Sequence, residues 1–189
     1  MVKLAIRAVV MAGVVIGFLV GAIPNGDAQR AYSLARWAGM GSEVEFTYTV
    51  DSADDGINGG FIPPGYYCMW LYCVDVPQPA IMILAGKDVD PDIIQFVILH
   101  EVGHYLQWRE LGQDMFQADR VSLEWDADIR AVDALCGMGQ DGRASVQAFF
   151  DWIFLHFGYE GDIEHGLASD RVEHAVKASR ACRVSYEAP

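Results

Sequence analysis

The fold of this chain is decided by one stretch of sequence, Phe96-Val97-Ile98-Leu99-His100-Glu101-Val102-Gly103-His104-Tyr105-Leu106-Gln107. Upstream of it, Asp90 can cap a helix that has Pro91 at its first position, and Gly112 marks the expected end. Apolar residues recur at helical spacing at Ile93, Ile94, Val97, Val102 and Leu106. The sequence therefore predicts a buried helix that carries two histidines four residues apart.

The spacing of His100 and His104 is the spacing of a metal site. Residues four apart on a helix lie on the same face, about 6 Å from each other, so both imidazoles can reach one tetrahedral ion. Glu101 lies beside them, where its carboxylate can take a proton from a metal-bound water. The pattern predicts a zinc site with Glu101 as general base. The alternative, a solvated helix face with two idle histidines, conflicts with the apolar flanks of the helix.

A catalytic zinc site needs a third protein ligand and an open fourth position. In the next predicted helix, residues 117–138, Glu124 and Asp128 lie on one face at four-residue spacing. We expect Glu124 to be the third ligand and Asp128 to accept the outer ring N–H of a ligand histidine. If these two acids form only a solvated face, Glu110 and Asp126 are the next ligand candidates.

The remaining sequence predicts a small sheet and further helices. Residues 43–50 alternate polar and apolar positions, which is typical of a half-buried strand. Residues 51–65 are rich in glycine and proline and are expected to form a loop. Two more strands are expected at residues 66–76 and 80–84, and three more helices at residues 28–40, 144–157 and 169–182. We predict an α+β fold in which a small twisted sheet packs on the helix of the motif.

The N-terminus places a basic leader before an uncharged run, residues 8–23. This is the pattern of a secretory signal, and the length and spaced glycines of the run also suit a retained membrane anchor. Residues 1–28 are therefore expected to be a signal peptide or an anchor, with residues 4–23 as the segment that associates with the membrane. Residues 29–189 form the domain, which either interpretation places outside the cytoplasm, as a secreted, periplasmic or membrane-anchored protein.

The four cysteines form an even set, and an even set in an oxidising compartment predicts disulfides. We expect one disulfide between Cys68 and Cys73, which would close a local loop. The second would join Cys136 to Cys182 and tie two helix ends together. A zinc site built from cysteines is disfavoured because only one short Cys-x4-Cys spacing exists.

Acidic residues dominate the charge of the chain, with 26 Asp and Glu against 13 Lys and Arg and a formal net charge of −13. This charge repels phosphate backbones and leaves no basic patch for counterion release. Nucleic acid is therefore not expected as a partner. The hydrophobic content of 52% is ample for the core of one domain of this length.

Beyond the individual residues, the chain resembles a known class of zinc peptidase. Glu124-Trp125-Asp126-Ala127-Asp128 after the His-Glu-x-x-His motif is similar to the gluzincin pattern Glu-x-x-Ala-Asp. The bacterial neutral zinc metallopeptidases are the most similar family, on three stretches: residues 66–68, residues 96–107, and residues 164–166 with Ser169 and Arg171. The chain departs from that family at Tyr105 and Ile129, where a second histidine and a cysteine are usual.

This resemblance implies a zincin-like domain and a zinc-dependent endopeptidase that acts on peptide or protein substrates. It also implies that His165 stabilises the oxyanion, with Arg171 behind the metal ligands. The open alternative is that His165 only starts the last helix and that Arg171 pairs with a local acid such as Asp162 or Asp170. In similar peptidases the strand before the motif, here residues 80–84, binds the substrate backbone as an extra strand.

Two other functions stay open at this point. The chain could be an exported module that holds zinc for structure or interaction without turning over peptides, although an intact Glu101 disfavours this interpretation. It could also be a membrane-anchored assembly protein in which Gly13, Gly17 and Gly21 form a dimer face.

Overall fold

The computed structural model describes residues 26–51, 56–69, 72–139, 147–151, 154 and 167–178. Most of the predicted signal or anchor, residues 1–25, lies outside this part of the chain, and so does His165. Within the described residues, no helix has both the length and the apolar character needed to cross a membrane.

The described residues have the predicted α+β architecture, with a three-stranded mixed sheet. The elements in chain order are α1 (Gly26–Trp37), β1 (Glu45–Asp51), β2 (Ile57–Ile62), β3 (Gly65–Met69), β4 (Tyr72–Val76), β5 (Ala80–Gly86), α2 (Pro91–Leu111), a 3-10 helix (Gly112–Gln117), α3 (Arg120–Gly137) and α4 (Ala168–Ala178). Residues 147–151 are also helical. Two further helices were predicted, at residues 144–157 and 169–182. Of these, residues 144–146, 152–153, 155–157 and 179–182 lie outside the described residues.

Strand β5 is the central strand of the sheet. It pairs in parallel with β1 and antiparallel with β2, so that Ile81 lies opposite both Phe46 and Phe61. Its side chains Ile81 and Ile83 are fully buried and share one hydrophobic core with Phe96 and Leu99 of α2. The motif helix is thus packed against the sheet, as expected from its apolar positions.

The sequence prediction of a loop over residues 51–65 is wrong, because Ile57–Ile62 form strand β2. The two prolines that argued against a strand follow its last residue instead of interrupting it. The close contact of Gly59 with α2 gives a reason for glycine at this position of the strand. A Cβ atom there would lie 2.8 Å from Glu101 Oε1 and 2.8 Å from Val97 Cγ1. Glycine therefore lets β2 approach the motif helix at a point where a Cβ atom would force Glu101, Val97 or the strand to shift.

The position of β5 also corrects the expected substrate strand. Both edges of residues 80–84 are already paired, with β1 on one side and β2 on the other, so these residues cannot accept a further strand. In the described part of the chain β2 pairs only with β5 and forms an edge of the sheet. Any added strand on this side must therefore pair with β2.

Residues 66–76, predicted as one strand, form two strands instead, the antiparallel hairpin of β3 and β4. Cys68 and Cys73 lie directly opposite each other in its register. Their pairing stays a prediction, consistent with this register. Cys136, near the end of α3, is disulfide-bonded. Its predicted partner Cys182 lies outside the described residues, so this pairing also stays a prediction.

The limits predicted for the motif helix are confirmed. The side chain of Asp90 accepts a hydrogen bond from the Asp92 N–H, Pro91 is the first helical residue, and Gly112 at the C-cap has φ of +58°. Helix α3 begins three residues later than predicted, after the 3-10 turn, with Asp119 as its N-cap. Local capping residues thus set both helix starts, as their side-chain chemistry requires.

Helices α2 and α3 cross closely at Gly103. A Cβ atom on Gly103 would lie 3.0 Å from the Cα atom of Ala127 and 3.1 Å from its carbonyl oxygen. Both residues are buried, and Ala127 has no accessible surface. The small residues at the crossing allow α3 to place Glu124 opposite the two histidines of α2.

Candidate metal centre

His100, His104 and Glu124 bring three possible metal ligands to one place. The Nε2 atoms of the two histidines are 3.0 Å apart. The carboxylate oxygens of Glu124 lie 3.2 Å from His100 Nε2 and 3.3 Å from His104 Nε2. The side chains are largely shielded from solvent, with 10 to 16% of each exposed. The spacing within α2 and the close crossing of α3 together produce a possible metal-binding triad.

Hydrogen bonds on the outer side of each imidazole ring determine where its proton lies. Nδ1 of His100 is 2.9 Å from Oδ1 of Asp128, and since a carboxylate only accepts, this nitrogen donates. Nδ1 of His104 is 2.9 Å from Oε1 of Gln107. With both Nδ1 atoms donating outward, the Nε2 lone pairs are directed at Glu124. The two Nε2 lone pairs and the Glu124 carboxylate then converge on one point. A positive charge at that point would offset their mutual repulsion.

Asp128 connects the triad to helix α4. Its carboxylate is completely buried and accepts two hydrogen bonds from Arg171, at 2.6 Å from Nε and 2.7 Å from Nη2. Nη2 of Arg171 also lies 3.7 Å from Glu124 Oε2. Of the two expectations for Arg171, the structure therefore favours a position behind the metal ligands. The guanidinium provides the charge partner that a buried carboxylate requires.

The buried acids and His100 shift one another's protonation. Burial opposes the charged form of His100, but hydrogen bonds to Asp128 and Glu124 outweigh it and raise the pKa of His100 to about 10. Burial also opposes the charged form of Glu124, and the two histidines nevertheless lower its pKa. Against the same effect of burial, Arg171 lowers the pKa of Asp128. With neutral histidines, the two carboxylates outnumber the one guanidinium and the centre has an excess negative charge. A proton on His100 neutralises this charge, and a metal ion that displaces the proton would do the same.

Glu101 is buried beside the triad but is not one of its three members. Its side chain is directed toward β2, where Oε1 lies 2.8 Å from the position of the Cβ atom that Gly59 lacks. The carboxylate therefore lies between the motif helix and the edge strand.

A cleft of about 320 Å³ opens beside His104 and Glu124. It is lined by Phe61 of β2, by Pro63 just after this strand, and by Met115 and Phe116 of the 3-10 helix. The other lining residues are Ala118, Arg120 and Leu123. Apolar and aromatic side chains thus line much of the space next to the triad.

The two alternative ligand candidates have other partners. Glu110 receives two hydrogen bonds from Arg130, at 2.9 and 2.7 Å. Asp126 accepts hydrogen bonds from Arg130 at 2.7 Å and from Gln107 at 2.9 Å. Neither acid belongs to the triad. The alternative that Glu124 and Asp128 form only a solvated face is not supported, because Asp128 is fully buried and only 16% of the Glu124 side chain is exposed.

Sequence reasoning missed two residues of the centre, Gln107 and Gly59. Gln107 is a polar residue at a buried position, three residues after His104, and this spacing places the two on the same side of the helix. That signal was available in the sequence. Gly59 was not identifiable, because its importance depends on a strand pairing that brings it against Glu101.

Neither protein-family models, nor curated proteins, nor solved structures match this chain. The assignment of a family therefore remains a prediction based on the motif.

Proposed function

We propose that this protein is a zinc-dependent peptidase in which His100, His104 and Glu124 bind the metal and Glu101 is the general base. The observation that carries this proposal is the convergence of the three ligand atoms beside a buried glutamate and an apolar cleft. The family resemblance of the motif supports the same assignment.

The composition and spacing of the triad support zinc as its metal. Two imidazoles and one carboxylate form a ligand set of catalytic zinc sites, whereas calcium and magnesium prefer oxygen ligands alone. In a tetrahedron with metal–ligand distances of about 2.0 Å, the ligand atoms are separated by about 3.3 Å. The two Nε2 atoms are 3.0 Å apart, and each lies 3.2 or 3.3 Å from a different carboxylate oxygen of Glu124, so all these separations are close to this value. His104 and Glu124 also border the cleft, which leaves room for a fourth ligand.

Glu101 would perform the proton transfers of the reaction. Zinc bound to the triad would lower the pKa of a coordinated water and polarise the peptide carbonyl. Glu101 would accept the proton of the attacking water and later deliver it to the leaving amine. Its burial between α2 and β2 keeps the carboxylate near the reacting groups and limits competition from bulk water.

The substrate would lie along β2. An extended peptide can pair with the edge of the sheet through its backbone, and β2 forms such an edge in the described residues. Phe61, at the end of this strand, also lines the cleft. A peptide on β2 would thus pass Glu101 and place a side chain in the cleft near His104.

The test compares the full-length wild type with Glu101→Gln and Glu124→Ala. Zinc per chain is measured by elemental analysis, and hydrolysis is measured with a library of quenched fluorescent peptides. We expect one zinc in wild type and in Glu101→Gln, and a strong loss in Glu124→Ala. Hydrolysis should fall by at least about 100-fold in Glu101→Gln because the general base is removed.

Three results would contradict the proposal in different ways. Full activity of Glu101→Gln would exclude the assigned base. Zinc in wild type without hydrolysis of any peptide would favour the zinc-binding module. A folded wild type that binds no zinc would exclude both functions.

A further inference from the structure

Gln107 is one of the most deeply buried polar side chains of the described residues, with 1% of its surface exposed. It lies on α2, three residues after His104, and its Oε1 atom is 2.9 Å from His104 Nδ1. A buried amide is stable only if its donors and acceptor are paired. All three polar functions of Gln107 have partners, as its amide nitrogen contacts two oxygens of α3.

Those two oxygens fix the orientation of the amide. Nε2 of Gln107 lies 2.7 Å from the carbonyl oxygen of Leu123 and 2.9 Å from Oδ2 of Asp126. Both partners are acceptors, so the NH2 group must face them and the Oε1 atom must face His104. Nδ1 of His104 must then donate. Gln107 thus sets the tautomer in which the Nε2 lone pair of His104 is directed at the triad.

The same side chain also connects the ligands of two helices. Leu123 immediately precedes Glu124, so the hydrogen bond from Gln107 holds the backbone of α3 beside the third ligand. Asp126 is in turn held by Arg130, which is bound to Glu110. The orientation of His104 and the position of Glu124 therefore depend on one amide.

We propose that Gln107 is a positioning residue that orients His104 for metal binding and holds Glu124 at its distance from the histidine. This proposal rests on the proposed function, because it assigns a role at the same metal site. His100 has a charged partner in Asp128, whereas His104 has a neutral one. The two histidines are thus supported by different chemistry. The sequence led us to expect Asp128 as the partner of one of them, and Gln107 was not expected.

The test measures zinc affinity of full-length Gln107→Leu by competition with a chromogenic chelator. Loss of a ligand's outer partner weakens metal binding by about 10- to 100-fold, and we expect a change in this range. Gln95→Leu is the matched control, because Gln95 lies on the same helix and its amide nitrogen bonds at 3.3 Å to Asp92, which is not part of the triad. Its zinc affinity should stay within about twofold of wild type.

A second measurement separates positioning from simple loss of packing. The ¹⁵N signals of the His104 ring report the tautomer, and they should change in Gln107→Leu and remain unchanged in Gln95→Leu. If Gln107→Leu does not fold, Gln107→Met decides, because methionine keeps the unbranched shape of the glutamine side chain and lacks its amide. A loss of zinc affinity of about 10- to 100-fold in this variant supports the proposal.

Two results overturn the inference alone: wild-type zinc affinity in folded Gln107→Leu, or wild-type zinc affinity in folded Gln107→Met when Gln107→Leu is unfolded. Failure of wild type to bind zinc overturns the proposed function and this inference together. The wild-type measurement therefore distinguishes the two failures.

Discussion

Asp128 has no surface exposed to solvent, yet its carboxylate holds both His100 and Arg171. At the scale of single residues, a chain of charged contacts runs from α4 to the triad. The Arg171 guanidinium contacts the Asp128 carboxylate, and this carboxylate contacts the His100 ring. An acid placed there without a partner would carry a large desolvation penalty, and the bidentate contact with Arg171 offsets it. The orientation of His100 therefore depends on a residue 71 positions further along the chain.

Asp128→Asn tests this dependence, because it keeps the shape of the side chain and removes its charge. Arg171 would lose its bidentate contact with a buried carboxylate, which costs about 3 kcal/mol of stability. Zinc affinity should fall by about tenfold or more because His100 loses a charged partner. Urea unfolding of the zinc-free protein and chelator competition measure the two effects.

Glu110→Gln is the control for Asp128→Asn. It also removes one acid from an ion pair with arginine, but 58% of the Glu110 side chain is exposed. Exposed pairs contribute about 1 kcal/mol or less. Equal unfolding free energies for the two variants would show that burial of Asp128 has no energetic importance.

At the scale of elements, two glycines set how closely the backbone segments approach. Gly59 brings β2 against Glu101, and Gly103 brings α3 against α2. One contact places Glu101, the proposed base, beside the edge strand, and the other places Glu124 beside the histidines. Different functions should therefore be lost when each glycine is enlarged.

Gly59→Ala should reduce peptide hydrolysis and leave zinc content unchanged. The added Cβ atom would lie 2.8 Å from Glu101 Oε1, so that Glu101 or β2 must shift. Gly60→Ala is the control, because nothing lies within 4 Å of its added Cβ atom. Parallel assays of zinc and of hydrolysis measure the difference, and equal activity of both variants would contradict the assigned position of Glu101.

Gly103→Ala should weaken zinc binding and lower the free energy of unfolding. Overpacking of a tight contact costs about 1–3 kcal/mol, which exceeds the gain of up to about 1 kcal/mol from replacing glycine in a helix. Gly137→Ala in α3 is the control, since its Cβ atom would be 3.7 Å from Trp37, an ordinary contact. A more stable Gly103→Ala protein would show that the helices separate without strain.

At the scale of the whole molecule, the triad joins α2 to α3, and Asp128 and Arg171 join α3 to α4. A bound ion would therefore connect elements that pack around the same core. A ligand present at about 1,000 times its dissociation constant stabilises the folded state by about 4 kcal/mol. Metal binding and folding should be coupled in this protein.

Removal of zinc by a chelator should lower the thermal midpoint of the wild type by roughly 10 °C, given about 2–4 °C per kcal/mol for a domain of this size. Glu124→Ala should unfold at the same temperature with and without chelator. Calorimetry of both proteins measures the shifts. A wild type that binds zinc and shows no shift would contradict the coupling.

The motif helix was predictable because its signals are local. Asp90, Pro91 and Gly112 define its ends through hydrogen bonds and backbone angles of neighbouring residues. The spacing of His100 and His104 follows from the helical repeat itself. Glu124 and Asp128 were found for the same reason, since their spacing places both on one face of α3.

Strand β2 and the partners of the histidines were decided by tertiary structure. Residues 57–62 have the composition of a loop, and they form a strand because β5 supplies their hydrogen bonds and α2 covers them. Asp128 meets Arg171 across 43 positions, and Gln107 meets Leu123 across 16. The sequence alone determined the helices and the residues that can hold a metal, because these depend on neighbours in the chain. The edge strand, the close crossing and the orientation of the ligands depend on contacts between distant segments, which only the packed chain brings together.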